Sequence, residues 1–315
     1  MNLFQTDITI PDGPMRDMSY EGAESFDFGD ANEDFDAIYD NAEEHDVGNV
    51  QQEHGSVLVH LLSQVSIGMD LTKVTLPTFI LERRSLLEMY ADFFAHPDAF
   101  IVTVDLESPQ ERFVSVVKYY LNAFYAARKS GVAKKPYNPI LGETFRCRYN
   151  VPGLPNSGKK TEDGPFPGSD ENQLTFIAEQ VSHHPPVSAF YAEHPAKRIS
   201  FHAHIYTKSS FLGLSIAYGE EYLFIDVRAQ PEMKKECVPV MQQGERESRR
   251  LWRHVTAALL RNRINIATTA KRMIEQRQRA EAKQRQESGE RWKTRYFSLA
   301  PDERWLYNEP LEERI

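Results

Sequence analysis

Along residues 174–227 short apolar runs alternate with breaks, at 174–181, 187–193, 199–207, 211–217 and 222–227. This spacing predicts a meander of antiparallel strands. Apolar positions elsewhere recur at helical spacing. Val57, Leu58, Leu61, Leu62 and Val65 follow a possible cap at Ser56 and predict a short amphipathic helix. Residues 85–94 and 111–128 also read as helices, and the second gathers Phe113, Val116, Val117, Tyr120, Leu121 and Phe124 on one face, expected to be core. Residues 71–81 are rich in β-branched residues and Leu, with Pro77 inside. Residues 150–172 are rich in Pro, Gly and Ser and read as a surface loop. Strong helix formers predict long helices at 247–260 and 264–286. Trp292, Tyr296, Phe297, Trp305 and Tyr307 form an aromatic tail expected to pack back onto the body.

Charge divides the chain. Its formal net charge is −9, yet residues 1–54 hold 15 Asp/Glu and one Arg, so the rest is mildly basic. The arm has few aliphatics and is expected to be disordered, because it lacks the apolar area that offsets ordering entropy. A basic body suits anionic surfaces. The first residues show no secretory signal, and no apolar run approaches the roughly 20 residues of a membrane span. Two cysteines make neither a disulfide framework nor a Cys-rich zinc site. These features predict a cytoplasmic protein that meets membranes peripherally.

The candidate chemistry starts at residues 179–186, Glu-Gln-Val-Ser-His-His-Pro-Pro. A strand delivers His183 and His184, and Pro185 and Pro186 stiffen the turn behind them. Two imidazoles so held either donate to one anion, such as a phosphate, or take a metal. Two further segments carry cations. Lys134 and Lys135 precede the doubly proline-stiffened stretch Pro136-Tyr137-Asn138-Pro139, and Lys271, Glu275 and Arg279 recur every four residues on nearly one helical stripe. Lysine supplies a point charge, arginine a planar fork, and glutamate holds a cation in place. Each set has a plainer reading as a solvated surface pair, structural histidines or helix-stabilising ion pairs.

Several segments together resemble the oxysterol-binding-protein family of lipid-transfer proteins: the octapeptide, residues 135–145 (Lys-Pro-Tyr-Asn-Pro-Ile-Leu-Gly-Glu-Thr-Phe), residues 68–77 and residues 210–213. The wording is most similar to animal members that exchange phosphatidylserine for phosphatidylinositol 4-phosphate. The resemblance implies an α+β fold, a barrel closed by an N-terminal lid, with residues 56–65 as that lid. It implies that Lys135, His183, His184, Lys271 and Arg279 hold the phosphates, that Glu275 supports the basic residues, and that Asn138 meets the head group. It implies exchange between membranes at organelle contact sites of endoplasmic reticulum, Golgi or endosome, with no enzymatic step, cofactor or metal.

The chain departs from that pattern. The family's later barrel strands are missing around 223–245, so the expected architecture is an incomplete antiparallel barrel or meander over residues 55–315, with long C-terminal helices. An unclosed barrel leaves open edges. The competing expectation is a transfer-deficient shortened form acting as a membrane or adaptor interaction protein. Residues 33–43 look like a degenerate acidic motif for endoplasmic-reticulum adaptors. A metal-dependent hydrolase built on His183, His184, His202 and His204 finds no HExxH or carboxylate cluster. Nucleic acid is not expected: residues 245–295 hold 15 Lys/Arg against 6 Asp/Glu, but no RNA- or DNA-reading motif is present.

Overall fold

The computed structural model describes residues 26–40, 78, 81–126, 134–206 and 232–314. Its centre is a four-stranded antiparallel sheet in sequential order, β3 (Thr144–Asn150), β4 (Gln173–His183), β5 (Pro186–His194) and β6 (Ile199–Tyr206). A two-residue turn, His184-Pro185, joins β4 to β5, with His183 paired to Pro186. The sheet is therefore the expected meander. Among the described residues it does not close into a barrel. The lid segment 56–65 and the runs 211–217 and 222–227 lie outside the described residues.

Both sheet faces are covered, which is why β4 and β5 are buried almost throughout rather than alternating. Phe145, Cys147, Tyr149, Leu174, Phe176 and Phe190 face a helical layer. That layer comprises α2 (Leu86–Ala91), α3 (Pro97–Ile101) and α4 (Pro109–Ala126), and Phe94 sits between them, 5.4 Å from Phe100 and 5.8 Å from Phe176 by ring centroids. Ile177, Val187, Ala189 and Tyr191 pack on the opposite face against Phe297 and Tyr307. These two come from the hairpin β7 (Phe297–Leu299) and β8 (Trp305–Tyr307), so the aromatic tail folds back as expected. A last turn, α7 (Leu311–Arg314), follows.

The third core is helical. α5 (Ser248–Leu260) and α6 (Ile264–Ser288) bury Trp252, Val255, Ala267 and Ala270 against Leu81, Tyr137 and Ile140. Leu81 and Tyr137 arrive on a short parallel pair, β1 (Leu81–Ser85) with β2 (Lys135–Tyr137).

Two expectations are overturned. The expected core stripe of α4 is largely exposed: Phe113, Val116, Val117 and Tyr120 face outward, Phe113 at 69%, and Leu121 is half-buried. The helix meets the body through Tyr119 and Ala123 instead, because the Phe94–Phe100 cluster receives that adjacent stripe. Periodicity shows that a face is apolar but not which neighbour it meets. Nor is residues 26–40 of the acidic arm an unstructured tail. α1 (Phe35–Asp40) buries Ile38 and Tyr39, and the Tyr39 hydroxyl donates to the Arg249 carbonyl at 2.8 Å. Asp30 lies 2.7 Å from His254, whose ring stacks on Phe28 at 4.1 Å, and Glu33 pairs with Arg261. Composition counted the arm's missing aliphatics; it did not count the polar partners at α5 and its C-terminal end that hold its acids.

A buried ion network joins these layers. Glu88 on α2 meets Arg249 on α5 at 2.8 Å, Lys235 meets Asp92 at 2.8 Å, and Arg84 meets Asp92 at 2.6 Å. Burial alone would push the Glu88 carboxyl up, but Arg249 and Lys235 outweigh it and hold it below its usual range. Glu88 therefore contributes stability above the ordinary carboxylate pKa that is lost as pH falls through its own lowered value. Replacing Glu88 by Ala strands the Arg249 guanidinium, and a loss of about 3 kcal/mol is expected from denaturant midpoints. An unchanged midpoint would show the network to be incidental.

Candidate functional site

The stretch 134–145 organises the site, and a buried carboxylate organises the stretch. Glu143 is fully buried and accepts from the Ser85 hydroxyl at 2.5 Å, the Ser248 hydroxyl at 2.7 Å, the Ile140 N–H at 3.1 Å and the Trp252 indole at 3.1 Å. Its oxygens thus tie β1, the loop and the start of α5 together. Burial raises its pKa, and those hydrogen bonds oppose the rise. The next residue back, Gly142, has φ +73°, and a Cβ there would lie 2.0 Å from the Trp292 ring. Only glycine fits that conformation and that contact. Gly142 N–H donates to the Gln180 carbonyl at 2.9 Å, and Gln180 N–H donates to the Glu143 carbonyl at 2.9 Å, locking the loop to β4. Tyr137 stacks on Trp252 at 4.6 Å and shares a 2.9 Å hydrogen bond with Thr256, fixing the loop to α5.

Around this loop the structure gathers most of the expected cations. Lys135 is exposed at the end of β1's partner strand, yet its ammonium pKa is lowered, by partial desolvation first and by Lys271 second, with Glu275 opposing. Lys135, Lys271 and Glu275 therefore share one locale. Within α6, Lys271 pairs with Glu275, and Arg279 reaches the other Glu275 oxygen at 3.7 Å while remaining mostly exposed. Glu275 bridges the two cations, as expected. Asn138 is exposed on the same loop.

His183 approaches the loop from the other side. Its ring lies beside the Pro139 backbone, whose influence raises its pKa only slightly against larger opposing effects. The His184 ring lies 4.7 Å away, edge to face, and His184 is exposed. Burial, then the neighbouring His184, lowers the His183 pKa to about 4. The ring is thus neutral at pH 7. Its Nδ1 is buried with no hydrogen-bond partner.

Among the described residues two cavities lie elsewhere. One, of about 630 Å³, is lined by Asp36, Tyr39, Arg148, Lys235, Cys237 and Arg249 among others. The second lies between residues 26–31 and the helices α5 and α6. Neither is lined by Lys135, His183, His184 or Lys271. Among the described residues no group of three or more His, Cys, Asp or Glu side chains is placed to hold a metal. His202, instead, sits 3.8 Å from Glu312 and against the Tyr191 ring.

A family model described as oxysterol-binding protein matches residues 60–225. The chain belongs to that family. Human oxysterol-binding protein-related protein 9 is 40% identical over 383 residues, covering 89% of this chain and 52% of the relative. Human oxysterol-binding protein-related protein 10 is 34% identical over 387 residues, covering 89% and 50%. The chain spans about half the length of the curated relatives it matches. The 383 aligned positions exceed the 315 residues of this chain, so the relative carries residues inside the aligned stretch that have no counterpart here. Among solved structures, the Osh1 ORD domain in complex with cholesterol aligns with a TM-score of 0.59 at 17% identity, over 89% of this chain and 95% of that one. That likeness is one of fold. Among the described residues no helix is long and apolar enough to cross a membrane.

The residue that sequence reading passed over is Glu143, quoted only as part of the 135–145 motif. Its signal was an acid beside Gly142 at the mouth of an apolar strand, where a carboxylate survives only with several donors. Glu143→Ala leaves four donors unmatched and is expected to cost roughly 3 kcal/mol in chemical denaturation. It is expected also to shift the amide resonances of residues 135–141. For His183, an NMR titration of the ligand-free protein should give a midpoint near 4. Because that value is depressed, the neutral ring contributes stability that is lost as pH falls from about 6.5. A midpoint near 6.5 would mean that the ring is not buried.

Proposed function

We propose that the protein is a peripheral lipid-binding module that takes the phosphorylated head group of phosphatidylinositol 4-phosphate at the 134–141 loop. It exchanges that lipid for a second one, phosphatidylserine or a sterol, between membranes. The observation that carries the reading is the approach of distant stretches to one loop: Lys135 beside Lys271 and Glu275, and His183 beside Pro139. A phosphate there would face Lys135, Lys271 and Arg279, with Asn138 and His184 at its rim. The family relationship supports a lipid ligand, and the cations support an anionic one.

The histidine geometry adds a requirement. The neutral His183 ring carries a single N–H and no charge. For His183 to meet the anion as a cation, its ring must take up a proton, and the phosphate supplies the counter-charge that raises the pKa. Binding at neutral pH is then coupled to proton uptake.

The test is extraction of phosphatidylinositol 4-phosphate from liposomes. His183→Ala/His184→Ala is expected to reduce extraction at least tenfold, and extraction by the native chain should strengthen from pH 8 to pH 6. Equal extraction by the double variant would reject this site.

A second reading is a transfer-deficient form that is recruited to membranes without moving lipid. It draws on the aligned stretch of the relative that outruns this chain. Vesicle binding without vesicle-to-vesicle transfer would favour it. In either reading, adaptor binding through residues 33–43 needs the arm to detach, since Ile38 and Tyr39 are buried against the body.

A further inference from the structure

The two cysteines take no part in the site above. Cys147 lies mid-β3, fully buried between Phe145 and Tyr149 in the core beneath the helical layer. The side of β3 away from β4 is occupied by the segment around Glu236. Arg148 N–H donates to the Glu236 carbonyl at 3.0 Å, and Glu236 N–H donates to the Arg148 carbonyl at 2.8 Å, as an isolated antiparallel bridge. A pair that exchanges both bonds is flanked by pairs that exchange none, and the next pair along sets Cys147 opposite Cys237. Cα atoms in such pairs lie ~4.5 Å apart, and the two side chains leave the same face.

The side chains agree with that register. Arg148 and Glu236 join outside the core at 2.9 Å, whereas Cys237 packs against the cluster that contains Cys147. Bridged cysteines have Cα atoms roughly 4.4–6.8 Å apart, so the backbone need not move far to join these two. We propose that Cys147 and Cys237 form a reversible intrachain disulfide that staples residues 232–239 to the outer edge of the sheet.

The oxidant would be a small-molecule disulfide such as oxidised glutathione, and the 630 Å³ cavity lined by Cys237 gives it access. Cys237, the partly exposed thiol, gives its proton to solvent and attacks the oxidant. The oxidant's S–S bond breaks, and one glutathione thiolate leaves. Cys147 then loses its proton and attacks the Cys237 sulfur, releasing the second thiolate. Two cysteine thiols lose two electrons in all, and the reduced oxidant takes up the two protons. Burial pushes Cys237 up to about 11 and Cys147 upward as well, so the thiolate is scarce at neutral pH and the exchange is slow.

The staple would close a loop containing β4, β5 and β6, restricting the unfolded chain. The full chain, reduced and then incubated with oxidised glutathione at pH 8, is expected to lose two hydrogens in intact mass. Digestion without reduction should give a Cys147–Cys237 linked peptide, and Tm should rise by roughly 5–10 °C over the reduced form. Cys237→Ser, at the less buried position, should abolish both the link and the Tm rise. Recovery of both thiols alkylatable after oxidation, of glutathione adducts alone, or of links only between chains would overturn the proposal.

Discussion

One carboxylate, Glu143, sets the geometry on which the cation cluster rests. A buried acid without a cationic partner is unfavourable unless its lone pairs are filled, and four donors from three chain segments fill them. Those donors lie on β1, on the loop itself and on α5, so satisfying the acid also brings the loop to the helical layer. Lys135 and Pro139 then stand between α6 on one side and the β4–β5 turn on the other. The site is thus assembled around a polar obligation in the core, with the charged groups arranged outside it.

Electrostatics works at two depths in this molecule. In the interior, Glu88, Asp92, Arg84, Lys235 and Arg249 neutralise one another at contact distance, and each needs its partner to remain buried. Nearer the surface, Lys271 lies close enough to disfavour the charge on Lys135, with Glu275 as partial relief. Like charges held together without full compensation form a natural place for an anion. The acidic arm follows the same logic: Asp30 and Glu33 find His254 on α5 and Arg261 at its C-terminal end, and Phe28 and Tyr39 add the apolar contact that the acids alone would not supply.

The legible features were those set by short-range pattern. The strands at 174–181, 187–193 and 199–207 appear within two residues of their expected ends, because alternating apolar runs bounded by breakers admit few other solutions. The helices at 247–260 and 264–286 were equally readable. Candidate residues were legible from residue type and order; Lys135, Lys271 and Glu275 share one locale, and His183 lies by Pro139 of the same loop. The α4 stripe was misread because an apolar face states a preference for burial without naming a partner. Residues 26–40 were misread because composition sums a segment's own apolar content and omits the surface that receives it.

By itself, then, the chain determined its local elements, its family and the kinds of groups available to meet a phosphate. Those follow from side-chain periodicity and from a proline-stiffened pair of imidazoles, which act over a few residues. Tertiary structure alone decided that His183 is neutral with Nδ1 unpaired, that Glu143 ties the loop down, and that Cys147 stands opposite Cys237. Each of these depends on desolvation and on contacts between residues far apart in sequence, and no local pattern encodes such contacts.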